Sequence, residues 1–223
     1  QAEAFDSSDW VKSGGTITAD FGVAPDGSTT ADRLVTSGAG NTLKAAYQNF
    51  AASAATYTFS TYLKDNGGAA RSIEVFFATT SLSAVVGAIY NFDTDTITNS
   101  PTASPFTLVG NSRTAVGNGW CRIAVTVTVA SAQTIRMWLA APYAAAQVGN
   151  YLIWGAQLEL GSTATAYQKV TTQYDVTEAG VQSLSYLSFD GVDDSMSTAA
   201  IDFTATDRSE EHTSELQSRS AIS

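Results

Sequence analysis

Apolar and polar residues alternate with a two-residue period in five short segments of this chain, at residues 57–64, 72–77, 120–129, 134–140 and 150–160. Successive side chains of a β-strand point to opposite faces, so this period predicts strands with one buried face. Gly, Asn, Asp and Pro residues between the segments are typical of tight turns. No segment long enough to form a helix repeats its apolar residues with the spacing of a helix. The sequence therefore predicts an all-β, antiparallel β-sandwich, with a jelly roll as the preferred topology.

The segment at residues 150–162 marks the end of this alternation. Beyond Gly161 the sequence becomes rich in Thr, Ala and Gln and has no regular apolar pattern. We therefore predict one β-sandwich domain at residues 1–167 and a polar linker at residues 168–183. Trp154 shares its phase with Leu152 and Leu158, which favours a place for the Trp154 ring in the core.

The charge of the chain argues against two classes of partner. The sequence has 11 Lys and Arg against 21 Asp and Glu, a formal net charge of −10. Nucleic acids and anionic lipid headgroups are both bound by basic surfaces, so we expect no nucleic-acid partner. We also expect no membrane insertion, since no apolar run approaches the ~20 residues of a membrane-spanning helix.

The sequence also lacks the motifs of common catalytic sites. It has no G-x-S-x-G motif, no Gly-rich phosphate loop and no Cys/His spacing for zinc. Cys121 lies in the apolar phase of its segment, which predicts a buried thiol. Glu74 and Glu159 are conceivable as a glycosidase pair, but two solvated strand carboxylates are the simpler interpretation. We therefore predict that the chain is not an enzyme.

Two groups of turn aspartates leave a structural calcium ion as an alternative. Asp93 and Asp95 flank one turn, and Asp190, Asp193 and Asp194 crowd another. Loop carboxylates bind Ca²⁺, whereas aspartates in turns ordinarily accept hydrogen bonds from backbone amides. We expect no cofactor, and calcium is the less favoured interpretation at both turns.

The residues outside the core phase contain a candidate ligand surface, which we expect to lie on one shared face. It comprises Tyr62, Glu74, Phe76, Arg122, Arg136 and Trp138. Aromatic rings beside Arg and Glu suit sugars, because a ring packs on the apolar C–H face while charged groups bind the hydroxyls. The same side chains suit a protein interface, or packing beneath a loop such as residues 99–105. All three interpretations stay open at this point.

Five motifs follow one another along residues 1–167. They read W-x-K-S-G-G-T-I-T at residues 10–18, A-P-D-G-S-T-T-A-D-R-L at 24–34, Y-T-F-S-T-Y-L-K at 57–64, N-G-W-C-R-I-A-V-T at 118–126, and Y-L-I-W-G-A-Q-L-E-L-G-S-T-A-T-A-Y at 151–167. In this order they resemble the carbohydrate-binding-type jelly-roll domain found repeatedly in bacteriophage tail, fibre and head-decoration proteins. The W-G-A-Q-L-E stretch is the most distinctive part of the resemblance.

The resemblance implies a non-catalytic module of a phage tail or virion structural protein. Its expected partners are glycans on a host cell surface and other virion proteins, and its expected location is the virion surface. Many copies in one assembly would raise avidity without tight single sites. Two alternatives remain: an assembly or decoration module that binds only proteins, and the accessory binding module of a polysaccharide depolymerase.

Two segments beyond residue 183 each resemble a different known sequence. Residues 186–194, Y-L-S-F-D-G-V-D-D, resemble the first strand and turn of laminin-G or concanavalin-A-like lectin domains, which predicts the truncated start of such a domain at residues 184–207. Residues 208–218, R-S-E-E-H-T-S-E-L-Q-S, resemble the in-frame translation of a short-read sequencing adapter. We therefore expect residues 208–223 to be an artefact, His212 to carry no chemistry and the native protein to be longer, with Gln1 just inside a truncated start.

Overall fold

The computed structural model describes residues 3–36, 45–141 and 148–169. These residues contain twelve β-strands and no helix, so the all-β prediction is confirmed. The strands are β1 (Val11–Ser13), β2 (Gly15–Gly22), β3 (Ala31–Thr36), β4 (Ala45–Ala52), β5 (Thr56–Asp65), β6 (Ser72–Thr79), β7 (Val85–Asn91), β8 (Thr96–Asn99), β9 (Phe106–Gly117), β10 (Trp120–Val129), β11 (Gln133–Ala140) and β12 (Asn150–Leu160).

The strands form two antiparallel sheets of six strands each. Sheet I has the order β1-β4-β11-β6-β7-β8, and sheet II has the order β2-β3-β12-β5-β10-β9. From β3 to β6 the chain alternates between the sheets, and the later strands β11 and β12 insert between the earlier ones. A jelly roll has this strand order, in which strands from the last part of the chain lie between strands from its first half.

The core lies between the two sheets and follows the alternation in the sequence. Phe59 on β5 and Phe77 on β6 meet across the sandwich, edge to face, with ring centroids 6.1 Å apart. Cys121 is buried beside them, and its Sγ donates to the backbone carbonyl of Leu63 at 3.6 Å. Burial raises the pKa of the Cys121 thiol to about 11, so the thiol is a packing group, as its phase predicts.

The closing strand β12 departs from simple alternation at Gly155. Trp154 pairs with Tyr62 on β5, whereas Gln157 pairs with Ser60, so β12 carries one extra residue over this interval. Gly155 has a φ of 62°, a conformation that side-chain-bearing residues rarely adopt. Such a bulge changes which residues of a strand face the core.

Trp154, just before the bulge, is 3% exposed and lies outside the main core. Ile153 before the bulge and Leu158 after it pack in the main core, whereas Leu152 and Trp154 belong to a separate cluster on the outer face of sheet II. The expectation that Trp154 and Leu158 share one phase in the core is therefore wrong. A glycine inside an alternating segment is the sequence signal for such a bulge.

Most predictions for the C-terminal part of the chain concern residues outside the described ranges. The linker beyond residue 169, the lectin-like start at 184–207 and the adapter-like tail at 208–223 lie outside them, as do Asp190, Asp193, Asp194 and His212. In the part of the chain that is described, no helix has the length and apolarity needed to cross a membrane.

Candidate functional site

The structure divides the six candidate ligand residues between the outer faces of two sheets. Tyr62 and Arg122 lie on neighbouring strands of sheet II. The other four, Glu74, Phe76, Arg136 and Trp138, lie on the neighbouring strands β6 and β11 of sheet I. The expectation of one shared face is therefore wrong, because alternation identifies the residues that leave the core and not the sheet that each strand joins.

On sheet I the outward aromatic side chains form a row across three strands. Trp138 on β11 pairs with Tyr47 on β4 and with Phe76 on β6. The rings of Phe76 and Trp138 are stacked at 5.8 Å with an interplanar angle of 3°, and the Tyr47 ring lies 4.2 Å from that of Trp138. The Arg136 guanidinium lies 4.5 Å from the centre of the Tyr47 ring. Phe76 and Trp138 are only 1% and 2% exposed, so neither offers a free ring face to a sugar.

Glu74 is also used internally. Its carboxylate is buried and accepts a hydrogen bond of 2.5 Å from the Ser100 hydroxyl, and burial raises its pKa. Ser100 lies in the loop at residues 99–105, so this loop does contact the outer face of sheet I, as one of the three interpretations proposed. Glu159 lies on sheet II. The two glutamates therefore do not face each other across a cleft as a glycosidase pair must.

On sheet II the outward aromatic residues form a second cluster. The Trp154 ring lies 5.2 Å from that of Tyr62 and 4.4 Å from that of Tyr167. The Arg122 guanidinium lies 5.3 Å from the centre of the Tyr62 ring. Tyr62 and Tyr167 are half-buried, as is Tyr47 in the row on sheet I, and Trp154 is 3% exposed, so the two clusters are closed to a similar degree.

Residues 161–169 fold back onto the outer face of sheet II, and we call them the strap. The carbonyl of Thr165 accepts a hydrogen bond from Arg122 Nη1 at 2.5 Å. The hydroxyl and backbone N–H of Thr165 both donate to the carboxylate of Glu159. Gln157 Oε1 accepts from the backbone N–H of Gln168 at 2.9 Å. The strap is therefore held by side chains of β10 and β12.

Beside the strap lies a groove of about 330 Å³. Its floor contains the three outward positions Arg122, Ala124 and Thr126 of β10, and Ser162–Ala164 of the strap form one side. The full lining is Thr58, Val109, Gly110, Asn111, Ser112, Thr114, Arg122, Ala124, Thr126, Ser162, Thr163 and Ala164. Six of these twelve residues carry a hydroxyl group, one carries an amide and one a guanidinium, so the groove combines hydrogen-bonding groups with apolar surface in about equal parts.

The groove is assembled by cross-strand pairing in sheet II. Arg122 pairs with Thr114 on β9, and Ala124 pairs with Ser112. Thr126 pairs with Thr58 on β5, and their hydroxyls share a hydrogen bond of 2.9 Å. Strands lie about 4.8 Å apart, so these positions form a compact grid on a rigid support.

The sequence analysis identified one residue of this groove, Arg122, and missed the rest. Five of the eleven missed lining residues belong to β9 (Phe106–Gly117), for which no strand was predicted, because its apolar residues alternate weakly. A signal was present in the turn Gly117-Asn118-Gly119, since a tight turn directly before the predicted strand at Trp120 requires a hairpin partner. Thr58 and Thr126 gave no signal of their own, because threonine is common on any outward strand face.

Calcium finds no support at the first aspartate turn. Asp93 forms an ion pair with Arg71 at 2.8 Å, and Asp95 forms one with Arg113 at 2.8 Å. The Tyr90 hydroxyl also donates to Asp95 at 2.7 Å. Within residues 3–36, 45–141 and 148–169, no group of three or more His, Cys, Asp or Glu side chains is placed to hold a metal ion.

Comparisons with known proteins give weak structural similarities. No protein-family model and no curated protein matches this chain. The enzymatically active domain of bacteriophage CBA120 tailspike protein 4 matches with a TM-score of 0.43 and 13% identity, over 71% of this chain and 20% of that one. The CBM22-1–GH10 modules of Clostridium thermocellum endo-1,4-beta-D-xylanase 10B, complexed with xylohexaose, match with a TM-score of 0.38 and 12% identity, over 73% and 28%.

A third solved structure, of a carbohydrate-binding module from the β-sandwich superfamily, matches with a TM-score of 0.25 and 10% identity, over 59% of this chain and 54% of that one. The chain thus spans about a fifth of the tailspike domain and about half of this module. Similarity at this level assigns neither a family nor a function.

Proposed function

We propose that residues 1–167 form a non-catalytic carbohydrate-binding module that binds glycans in the groove of sheet II. The observation that carries the proposal is the lining of this groove, in which hydroxyl, amide and guanidinium groups share one rigid sheet surface. Sugar hydroxyls donate and accept hydrogen bonds, and Ser, Thr and Asn side chains do the same. A volume of about 330 Å³ is at the lower end for ligand sites, which suits a short stretch of a glycan chain.

The lining residues divide into two roles. The hydroxyls of Thr58 and Thr126 bind each other, and Thr58 also donates to the carbonyl of Gly161, so these two residues shape the floor. Ser112 and Thr114 on β9 are exposed and make no side-chain hydrogen bond to another described residue. Their hydroxyls are therefore available to a ligand without breaking any contact in the protein.

The biological setting of the proposal comes from the order of the five sequence motifs. That order supports a place in a phage tail or virion structural protein, where the module would attach the particle to glycans of the host surface. A groove of this small volume suits weak single contacts, which gain strength when many copies bind together.

The test compares two substitutions, one on an edge strand of each sheet. Thr114→Val on β9 removes a groove hydroxyl, and Thr98→Val on β8 removes an equally exposed hydroxyl from the edge strand of sheet I. Full-length chain is applied to a glycan array, and the affinity for each glycan bound is measured by calorimetry. One hydrogen bond contributes about 1 kcal/mol, so we expect Thr114→Val to weaken binding about fivefold and Thr98→Val to leave it unchanged.

Two results would contradict the proposal. Folded wild-type chain that binds no glycan on the array excludes a carbohydrate-binding module and favours the protein-only assembly role. Glycan binding that is weakened by Thr98→Val and not by Thr114→Val moves the site away from the groove of sheet II.

A further inference from the structure

Arg122 supplies the charge in the groove of sheet II. None of the described residues that line the groove is Asp, Glu or Lys, and Arg122 is the single arginine among them. The chain as a whole carries a formal net charge of −10. The groove is therefore a locally positive, hydroxyl-rich site on an acidic protein.

The Arg122 guanidinium retains donors that the protein does not use. Of its five N–H groups, one on Nη1 donates to the carbonyl of Thr165 and one on Nη2 donates to the hydroxyl of Ser60 at 2.8 Å. Its Nε has no hydrogen-bond partner among the described residues but is buried, so the donors left for a ligand are the second N–H groups of Nη1 and Nη2. Both groups that it does bind are neutral, and it forms no ion pair with any carboxylate in the described ranges, unlike Arg71 and Arg113.

The guanidinium is also fixed in position before any ligand arrives. It lies against the Tyr62 ring at 5.3 Å, and its two hydrogen bonds join it to β5 and to the strap. The nearby carboxylate of Glu159 is occupied by the backbone N–H and the hydroxyl of Thr165. A positive group that is held in place and forms no ion pair with a carboxylate in the described ranges is pre-organised for an anion.

We propose that the groove binds an acidic glycan and that Arg122 binds the anionic oxygens of its charged sugar residue. This inference rests on the proposed function and names the class of glycan. Carboxylate and sulfate groups share the chemistry that a guanidinium recognises, namely negatively charged oxygens spaced for paired N–H donors. The net charge of −10 repels polyanions at long range, so a preference for acidic glycans has to arise at the groove itself.

The experiment uses matched charged and uncharged forms of the same polymer. The 223-residue chain is tested by calorimetry against oligogalacturonate and its methyl ester, in which esterification replaces each negative carboxylate by a neutral group of similar shape. Dextran sulfate and dextran form a second pair, which separates sulfate from carboxylate. We expect at least a tenfold preference for the acidic member of one pair.

Two variants locate the preference. Arg122→Gln removes the groove charge, and Arg33→Gln removes the charge of an arginine on β3 of the same sheet, whose guanidinium lies 4.1 Å from the Phe21 ring. We expect Arg122→Gln to abolish the preference and Arg33→Gln to keep it. Arg122→Lys, which keeps the charge but loses the planar fork, should retain part of the preference, and it serves as the test if Arg122→Gln does not fold.

The outcomes separate this inference from the proposed function. Equal binding of charged and uncharged polymers by wild-type chain overturns the acidic-glycan inference and leaves the carbohydrate-binding module intact. A preference for the acidic polymer that survives in Arg122→Gln also overturns it. Absence of binding to these polymers and to every glycan on the array overturns both.

Discussion

The outer faces of the two sheets have similar aromatic clusters and differ in what lies beside them. Each face carries a cluster of aromatic rings with an arginine beside it, Arg136 on sheet I and Arg122 on sheet II. On sheet I the rings of Phe76 and Trp138 are buried and Glu74 is bound to Ser100, whereas on sheet II the strap contacts the rings and a groove lies beside it over β9 and β10. Outward aromatic residues alone therefore do not distinguish the two faces, whereas the groove with its accessible hydroxyls does.

Of the substitutions that test this comparison, Trp138→Ala is expected to change stability most. Trp138→Ala removes a ring that is 2% exposed and stacked on Phe76, so we expect the free energy of unfolding to fall by about 3–5 kcal/mol. Urea unfolding measures this change, and glycan affinity of the folded fraction should be unaltered. Leu160→Ala, at a side chain that is 72% exposed, is the control and should change stability little. A loss of binding without a loss of stability would make the sheet I face a ligand site after all.

A smaller effect is expected at Gly155, which lies at the bulge of β12 beside the rings of Tyr62 and Tyr167. Alanine at this position has to adopt a φ of 62° and places its Cβ 3.0 Å from the Tyr62 ring and 3.1 Å from the Tyr167 ring. We expect Gly155→Ala to lower the free energy of unfolding by about 2–3 kcal/mol.

Gly27→Ala is the matched control for this glycine. It has a φ of 87°, but an added Cβ would meet nothing within 4 Å, so only the backbone cost of about 1 kcal/mol is expected. Equal losses for the two variants in urea unfolding would show that the packing of Tyr62 and Tyr167 against Gly155 contributes nothing.

The smallest effect is expected in the dependence of stability on pH. Asp32 on β3 is buried and accepts hydrogen bonds from the backbone N–H groups of Phe5 and Asp20, and burial raises its pKa from 3.8 to about 6. A carboxyl group with a raised pKa in the folded state stabilises the fold below its unfolded pKa, and this contribution is lost as pH rises through the folded value. The Asp32 contribution should therefore decline between about pH 4 and pH 6.

Comparison of wild-type chain with Asp32→Asn isolates this contribution. The melting temperature of the variant should depend less steeply on pH in that window, because its side chain does not titrate. Glu74→Gln on sheet I should also make the melting temperature depend less steeply on pH, since burial raises the pKa of Glu74 too. An unchanged slope in Asp32→Asn would mean that the Asp32 pKa is not raised.

The sequence predicted the strands well where one face is strongly apolar, as at Phe59 and Ile123, because local alternation is enough to define them. It could not assign strands to sheets, since β12 pairs with β3 and β5, which precede it by more than eighty residues. The groove was missed for a related reason. Its hydroxyls come from β5, β9, β10 and the strap, and they become a site only when these segments pair.

The strap also brings the two ends of the sandwich together. The Tyr167 hydroxyl donates to the Glu3 carboxylate at 2.9 Å, and Lys169 forms an ion pair with the same group at 2.7 Å. Chain entry and chain exit thus share one corner. A domain whose two ends lie close together can be inserted into a loop of a longer polypeptide, because the two ends of that loop then need to be only a short distance apart.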